Sequence, residues 1–416
     1  MNGSQASELA ITGVGITTAI GQGRAAFGDA LLAGRHAFGV MQRPGRQRET
    51  NFLGAEIGSL RNPSRLTPRI LRTASFSAHV ALVTLDEAWT DARLADVDGE
   101  RIGLIVGGSN VQQRDLVLTH ESYADRLPFV RPTYGVSFLD TDICGRCAEV
   151  FGIRGRRYTV GGASASGQLA ILQAIDAIRA GHCDVCVAIG ALTDVSYWEC
   201  QALRSLGAMG SDRYATEPAL ACRPFDRCRD GFIFGECCGV VVIETADHAA
   251  RRHVEPYAAI SGWADVMDPT SQPDPSFDGE VAAIARALRH AGWDAADVDY
   301  INPHGTGSIA GDDIELRAIR ACGLAHASIN ATKALVGHGL SAAGTVEVIA
   351  TLVQMERSVL HPTRNLDAPI DPELAWVGAC AEPRAVNRAL TISLGFGGIN
   401  TAICLSNRRA GGVGEA

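Results

Sequence analysis

No cluster of basic residues appears in this 416-residue chain, and its formal net charge is −9. That balance excludes the electrostatic footprint of a nucleic-acid or anionic-membrane binder. Long apolar runs are also missing, since none approaches the roughly 20 residues needed to cross a bilayer. The opening MNGSQASELAITGVG lacks the charged start, apolar core and cleavage site of a secretion signal. A soluble, cytoplasmic protein is therefore expected. The 12 cysteines include two CxxC pairs, Cys144/Cys147 and Cys183/Cys186. The second pair lies in an apolar strand-like run, without the turn that usually presents zinc ligands. Buried cysteine acts as a small hydrophobe and a reducing cytosol disfavours disulfides, so no metal site is expected.

What the chain does have is apolar substance, 46% hydrophobic residues with 46 glycines, enough for a large core. Short apolar runs alternate with helical patterns. ELAITGVG, RIGLIVGG, RYTVGG, CDVCVAIGA and GVVVIE come first; YAAISGWA, VDYINPHG, HASINATK, LTISLGFGG and TAICLS follow. Between them lie helix-like segments such as FSAHVALVTLDEAW, GQLAILQAIDAIRAG, EVAAIARALRHAG and AAGTVEVIATLVQME. This alternation predicts an α/β protein with a largely parallel sheet buried on both faces. The two series match in plan, which points to a duplicated architecture. The polar stretch ADHAARRHVEPYA divides them, giving halves at 1–253 and 254–410 and a flexible tail at 411–416.

Four segments end a strand on glycines with a polar or aromatic residue at the tip. They are GGASASG around Ser164, NPHGTGS around His304, NATKALVGHG with Lys333 and His338, and SLGFGGIN around Phe396. Each alone is a weak signal, because a lone histidine or glycine run is more often structural. Together they sit where open α/β sheets collect ligands, at the carboxyl ends of strands. The helix after Ser164 is apolar on nearly every side (Leu169, Ala170, Ile171, Leu172, Ile175, Ile178), so it should be central and covered.

These segments, with PFDRCRDGFIFGECCG and HGTGSIAGDDIE in the same order, resemble the β-ketoacyl synthases of the thiolase fold over nearly the whole chain. The resemblance implies two βαβαβ-type halves in α-β-α-β-α layers, and a homodimer formed through the strand RYTVGG. It implies a substrate carried on the phosphopantetheine arm of an acyl carrier protein, with no other cofactor. Ser164 occupies the position of that family's cysteine nucleophile. His304 and His338 match its histidine pair, Lys333 its lysine, and Glu347 the carboxylate paired with that lysine. The backbone N–H groups of Ser164 and Phe396 correspond to the oxyanion hole, and Phe396 to the gate of the acyl cavity. Thr306 and Ser308 fall where hydroxyls meet the pantetheine arm, and Asp313 stands where proline is common.

The serine sets the expected chemistry. A thiol, with a free pKa near 8.5, is readily ionised at a helix N-terminus. An alcohol needs a dedicated and oriented base, and the sequence shows no such relay beside Ser164. Acyl loading should fail. Decarboxylation needs only neutral donors to the enolate oxygen, each typically worth about 10²–10³ in rate. The closest resemblance is to free-standing decarboxylating ketosynthases of polyketide β-branching cassettes. That implies conversion of malonyl- to acetyl-acyl carrier protein, with an HMG-CoA-synthase-like enzyme taking the product. Two rivals remain open: an acyltransferase using Ser164 as nucleophile, and a non-catalytic subunit like the chain-length factors. Malonyl and methylmalonyl substrates are not distinguished.

Overall fold

The apolar runs form ten strands in two series. β1 (Leu9–Thr18), β2 (Ile102–Gly107), β3 (Arg157–Val160), β4 (Val185–Gly190) and β5 (Cys237–Thr245) make the first. β6 (Ala258–Met267), β7 (Tyr300–Asn302), β8 (Ser328–Ile329), β9 (Arg388–Gly395) and β10 (Ile399–Ser406) make the second. The computed structural model describes residues 7–408, so the tail expected at 411–416 lies outside the described residues.

The spatial order is β3-β2-β4-β5-β1-β6-β10-β9-β7-β8. Counted outward from the β1/β6 junction, each series runs first, fifth, fourth, second, third, and the strand directions match as well. The junction is narrow, pairing Leu9 with Ile260, Ala10 with Ala259 and Ile11 with Ala258. The sheet is mixed, which corrects the largely parallel one expected. Among these strands only β2/β3, β2/β4, β7/β8 and β7/β9 pair in parallel. β9 and β10 show one cause: the turn Phe396–Gly398 between them is far too short for the crossover that parallel pairing requires. β8 is shorter than HASINATK suggested, because Asn330 leaves the ladder. Its side-chain amide donates to Gln354 Oε1 (2.9 Å) and the His361 carbonyl (2.8 Å).

Helices fill three layers. α1 (Phe76–Asp91) and α2 (Thr141–Phe151) pack Leu85, Trp89 and Ile143 on one outer face of the first series. α3 (Ser166–Arg179), α4 (Phe277–Ala291), α5 (Ile309–Ala321) and α6 (Ala343–Arg357) follow in the chain. α4 and α5 cover the outer face of the second series with Ile284, Leu288 and Leu316. α3 and α6 lie between the series, packing Ile171, Ile175, Val346 and Ile349 into one cluster with residues of both, such as Ile11 and Ile403. The α-β-α-β-α layering follows from these three separate cores.

Both central helices start alike. A 3-10 turn precedes each, Ala163–Ala165 before α3 and Leu340–Ala342 before α6. Ala163 (φ 45°) and Leu340 (φ 51°) take the left-handed region that side chains disfavour. The helices touch where each has glycine. A Cβ on Gly167 would lie 2.9 Å from Thr345 N, and one on Gly344 would lie 2.8 Å from Gln168 N. Their N-terminal ends are thereby brought together.

Cys183 and Cys186 are buried with both thiols against Gly103, whose absent Cβ would sit within 3.0 Å of each sulfur. Cys144 and Cys147 are buried on α2.

Candidate active site

Ser164 sits in the tight turn ahead of α3. Ser166 pins that turn, its hydroxyl accepting from Gly162 N (2.9 Å) and donating to the Ala163 carbonyl (2.7 Å). From there Ser164 Oγ lies 2.9 Å from His338 Nε2, a contact between residues 174 positions apart. No relay beside Ser164 was expected; the fold supplies one contact. Among the described residues no third group hydrogen-bonds the imidazole, and His338 Nδ1 is buried without a partner.

His338 is held through its backbone, donating to the Ile233 carbonyl (2.7 Å) and accepting from Gly235 N (3.1 Å). The Phe232 ring packs edge-on against it at 5.0 Å between centroids. His304 stands perpendicular to it, with ring centroids 5.4 Å apart. Burial pushes both imidazoles well below the ordinary histidine value, and the charge of Lys333 adds to the effect. Both are neutral at pH 7.

Lys333 is the only lysine in the chain, and it is buried. Its ammonium donates to Glu347 Oε1 and the His304 carbonyl and lies 3.5 Å from His304 Nδ1. Burial pushes Glu347 up to about 7, against the pull of Lys333. The pair thus ties α6 to the His304 loop through a buried charge.

Two carboxylates that the sequence reading left without a role grip the same loop. Glu315 accepts from His304 N (2.5 Å) and Gly305 N (2.8 Å). Asp312 accepts from Gly307 N (3.0 Å) and Phe225 N (2.6 Å). Both lie on the buried stripe of α5, a turn after HGTG, and their i, i+3 spacing was the available signal. Asp313, on the outer side, pairs with Arg229 at 3.0 Å, a contact that proline could not make.

Ser164, His304, His338, Thr306, Ser308 and Phe396 all line one cavity of about 250 Å³. Lys333 and Glu347 stand behind it. Ser308 has a second task, since its Oγ caps α5 by accepting from Gly311 N (3.2 Å). Phe396 is 41% exposed on the β9–β10 turn. That turn rests on the Ser164 turn so closely that a Cβ on Gly395 would come within 2.3 Å of the Gly162 carbonyl. A larger surface depression of about 420 Å³, between Gln173, Asp265 and Arg286, holds none of these groups. Among the described residues, no helix is long and apolar enough to cross a membrane.

Comparison with known proteins shows the family. Residues 6–249 fit the family described as beta-ketoacyl synthase, N-terminal domain, and residues 257–367 its C-terminal domain. The polyketide biosynthesis malonyl-ACP decarboxylase PksF of Bacillus subtilis (strain 168) is 57% identical over 96% of both chains. The 3-oxoacyl-[acyl-carrier-protein] synthase 2 of Rhizobium meliloti (strain 1021) is 31% identical over 95% of this chain and 98% of its own. The crystal structure of a beta-ketoacyl synthase from Burkholderia phymatum STM815 superposes with a TM-score of 0.88 at 27% identity, covering 96% of this chain and 99% of that one. With its duplicated strand order, its layered helices and both family domains in sequence, the chain belongs to the beta-ketoacyl synthase family.

Proposed function

We propose that the protein removes carbon dioxide from a malonyl unit on an acyl carrier protein, leaving acetyl on the same carrier, without forming a carbon–carbon bond. The name and 57% identity of the Bacillus subtilis relative support this. The observation that carries it is the pairing of an alcohol, Ser164, with two neutral imidazoles around one cavity.

In this reading His304 and His338 donate N–H groups to the thioester oxygen as the C–C bond to the carboxylate breaks and charge moves onto that oxygen. Ser164 orders the site, while the backbone N–H groups of Ser164 and Phe396 form a second polar pocket. Lys333 and Glu347 hold His304, Phe396 gates the entrance, and Thr306 and Ser308 contact the pantetheine arm. The acetyl product then serves an HMG-CoA-synthase-like enzyme in polyketide β-branching, in the cytoplasm. A homodimer fits the edge position of strand β3 and the exposed Leu127, Phe129, Val136 and Phe138, since large apolar patches usually mark a partner surface.

The 2.9 Å Ser164–His338 contact favours a second reading, an acyl-serine transferase. Against it, the base has no orienting acid and burial weakens it as a proton acceptor. A subunit without catalysis is opposed by the complete set of buried polar groups. Malonyl-loaded carrier is incubated with the isolated protein, and intact masses of both are read. Loss of one carbon dioxide from the carrier, with the enzyme mass unchanged, is expected. An acyl adduct on Ser164 or a condensed product overturns the reading.

A further inference from the structure

Five carboxyls border the cavity: Asp268, Asp274, Glu280, Asp312 and Glu315, of which Asp274 is exposed on the loop before α4. Three of them are held by donors. Asp268 accepts from Ser276 Oγ (2.9 Å) and Asn400 Nδ2 (2.7 Å). Asp312 accepts two backbone N–H groups and faces Arg229 at 3.6 Å. Glu315 accepts from His304 N and Gly305 N. Glu280 differs: it is 1% exposed, and among the described residues neither of its oxygens has a partner.

A carboxylate buried without donors, beside three other carboxyls, is strongly disfavoured. The first turn of α4 favours an anion, but only weakly. The pair Glu280 and Glu315 therefore keeps a proton at neutral pH, and that proton resides on Glu280 because both Glu315 oxygens are committed as acceptors. Glu280 also breaks the pattern of its own helix. It stands on the buried stripe with Ala283, Ile284 and Ala287, where an apolar residue would serve packing.

The chemistry supplies a reason, resting on the decarboxylase reading above. In a condensation the enolate carbon bonds to an acyl carbon and needs no proton. In simple decarboxylation that carbon must gain one, and the two imidazoles are engaged at the oxygen. We propose that Glu280, a residue lining the same cavity as His304 and His338, is the acid that supplies this proton. The C–H bond forms as the Glu280 O–H bond breaks, directly or across one water. The carboxylate left behind regains a proton from water at the cavity mouth. One malonyl carboxylate and one proton become carbon dioxide and acetyl.

The test compares full-length wild type and E280Q on malonyl-loaded acyl carrier protein in an equal mixture of H₂O and D₂O. Glutamine keeps the shape but has no transferable proton. Expected are a loss of about 10²-fold in acetyl formation, an altered H/D ratio in the acetyl methyl group, and retained carrier binding. Should E280Q not fold, the wild type still decides. Burial and the neighbouring carboxyls push Glu280 up to about 9, so acetyl formation should fall as pH rises through that value. A wild-type rate that stays flat there overturns the inference. A wild type that decarboxylates and is matched by E280Q in rate and H/D ratio overturns this inference alone. A wild type that releases no carbon dioxide overturns the decarboxylase reading with it.

Discussion

The two halves share a strand order and a way of starting their central helix, yet they equip that start differently. In the first, the strained turn at Ala163 presents Ser164 to an imidazole from the second half at 2.9 Å. In the second, the equivalent turn at Leu340 carries Ser341, whose Oγ is occupied by Thr193 Oγ1 at 2.9 Å. One backbone device thus serves twice, and the neighbours decide which hydroxyl is available. The titratable groups divide unevenly as well. His304, Lys333, His338, Glu347, Asp312, Glu315 and Glu280 all come from the second half. The first half contributes a turn and a hydroxyl; the second contributes the electrostatics.

The largest effect that would break this asymmetry is loss of an imidazole. His304→Ala and His338→Ala should each lower acetyl formation by about 10²–10³, measured on malonyl-loaded carrier. Equal survival of both variants would mean the donors lie elsewhere. In the wild type both rings are depressed bases, so the neutral form is lost only as pH falls below the ordinary histidine range. The acid limb of the rate should accordingly lie below pH 6.5.

Lys333→Met removes one partner of a buried ion pair and leaves Glu347 without its cation. A stability loss of about 3–5 kcal/mol by denaturant unfolding is expected, and a loss below 1 kcal/mol would show that Glu347 simply takes up a proton. Glycine at the helix contact is the next lever. Gly167→Ala and Gly344→Ala place a Cβ against backbone nitrogen and should each cost about 1–3 kcal/mol. Because the contact is reciprocal, similar losses in the two variants would support equivalence of the halves.

The smallest effects sharpen the comparison of the two serines. Ser164→Ala should reduce turnover less than either histidine change, and Ser341→Ala less again. A Ser164→Ala loss as deep as His338→Ala, with an acyl-serine in the wild type, would favour the transferase reading. E280Q adds a stability readout. The folded protein binds a proton at Glu280 that the unfolded chain releases above about 4.5, so wild-type stability falls from there to about pH 9. The variant lacks that loss, and its melting advantage should widen over the same range.

Much of this was legible in residue order. The apolar helix after Ser164, the four glycine-bounded tips and the repeated plan are local patterns, and local sterics produce them. The antiparallel β9–β10 pair was missed in favour of a parallel sheet, although the brevity of GFGG signals it. Two signals passed unused: a single lysine in a chain otherwise served by arginine, and Glu280 in phase with an apolar stripe. The i, i+3 spacing of Asp312 and Glu315 marks one buried face, but their grip on the His304 loop depends on the fold setting that face against backbone N–H groups.

Residue order settles which groups exist: an alcohol in place of a thiol, two imidazoles, one amine and a set of carboxyls on named helices. The fold alone brings Ser164 to His338, keeps the imidazoles uncharged and leaves Glu280 without a donor among the described residues. Residue type fixes the chemistry a group can perform. Proximity across 174 positions and removal from water are properties of packing, and they set which protonation state each group holds.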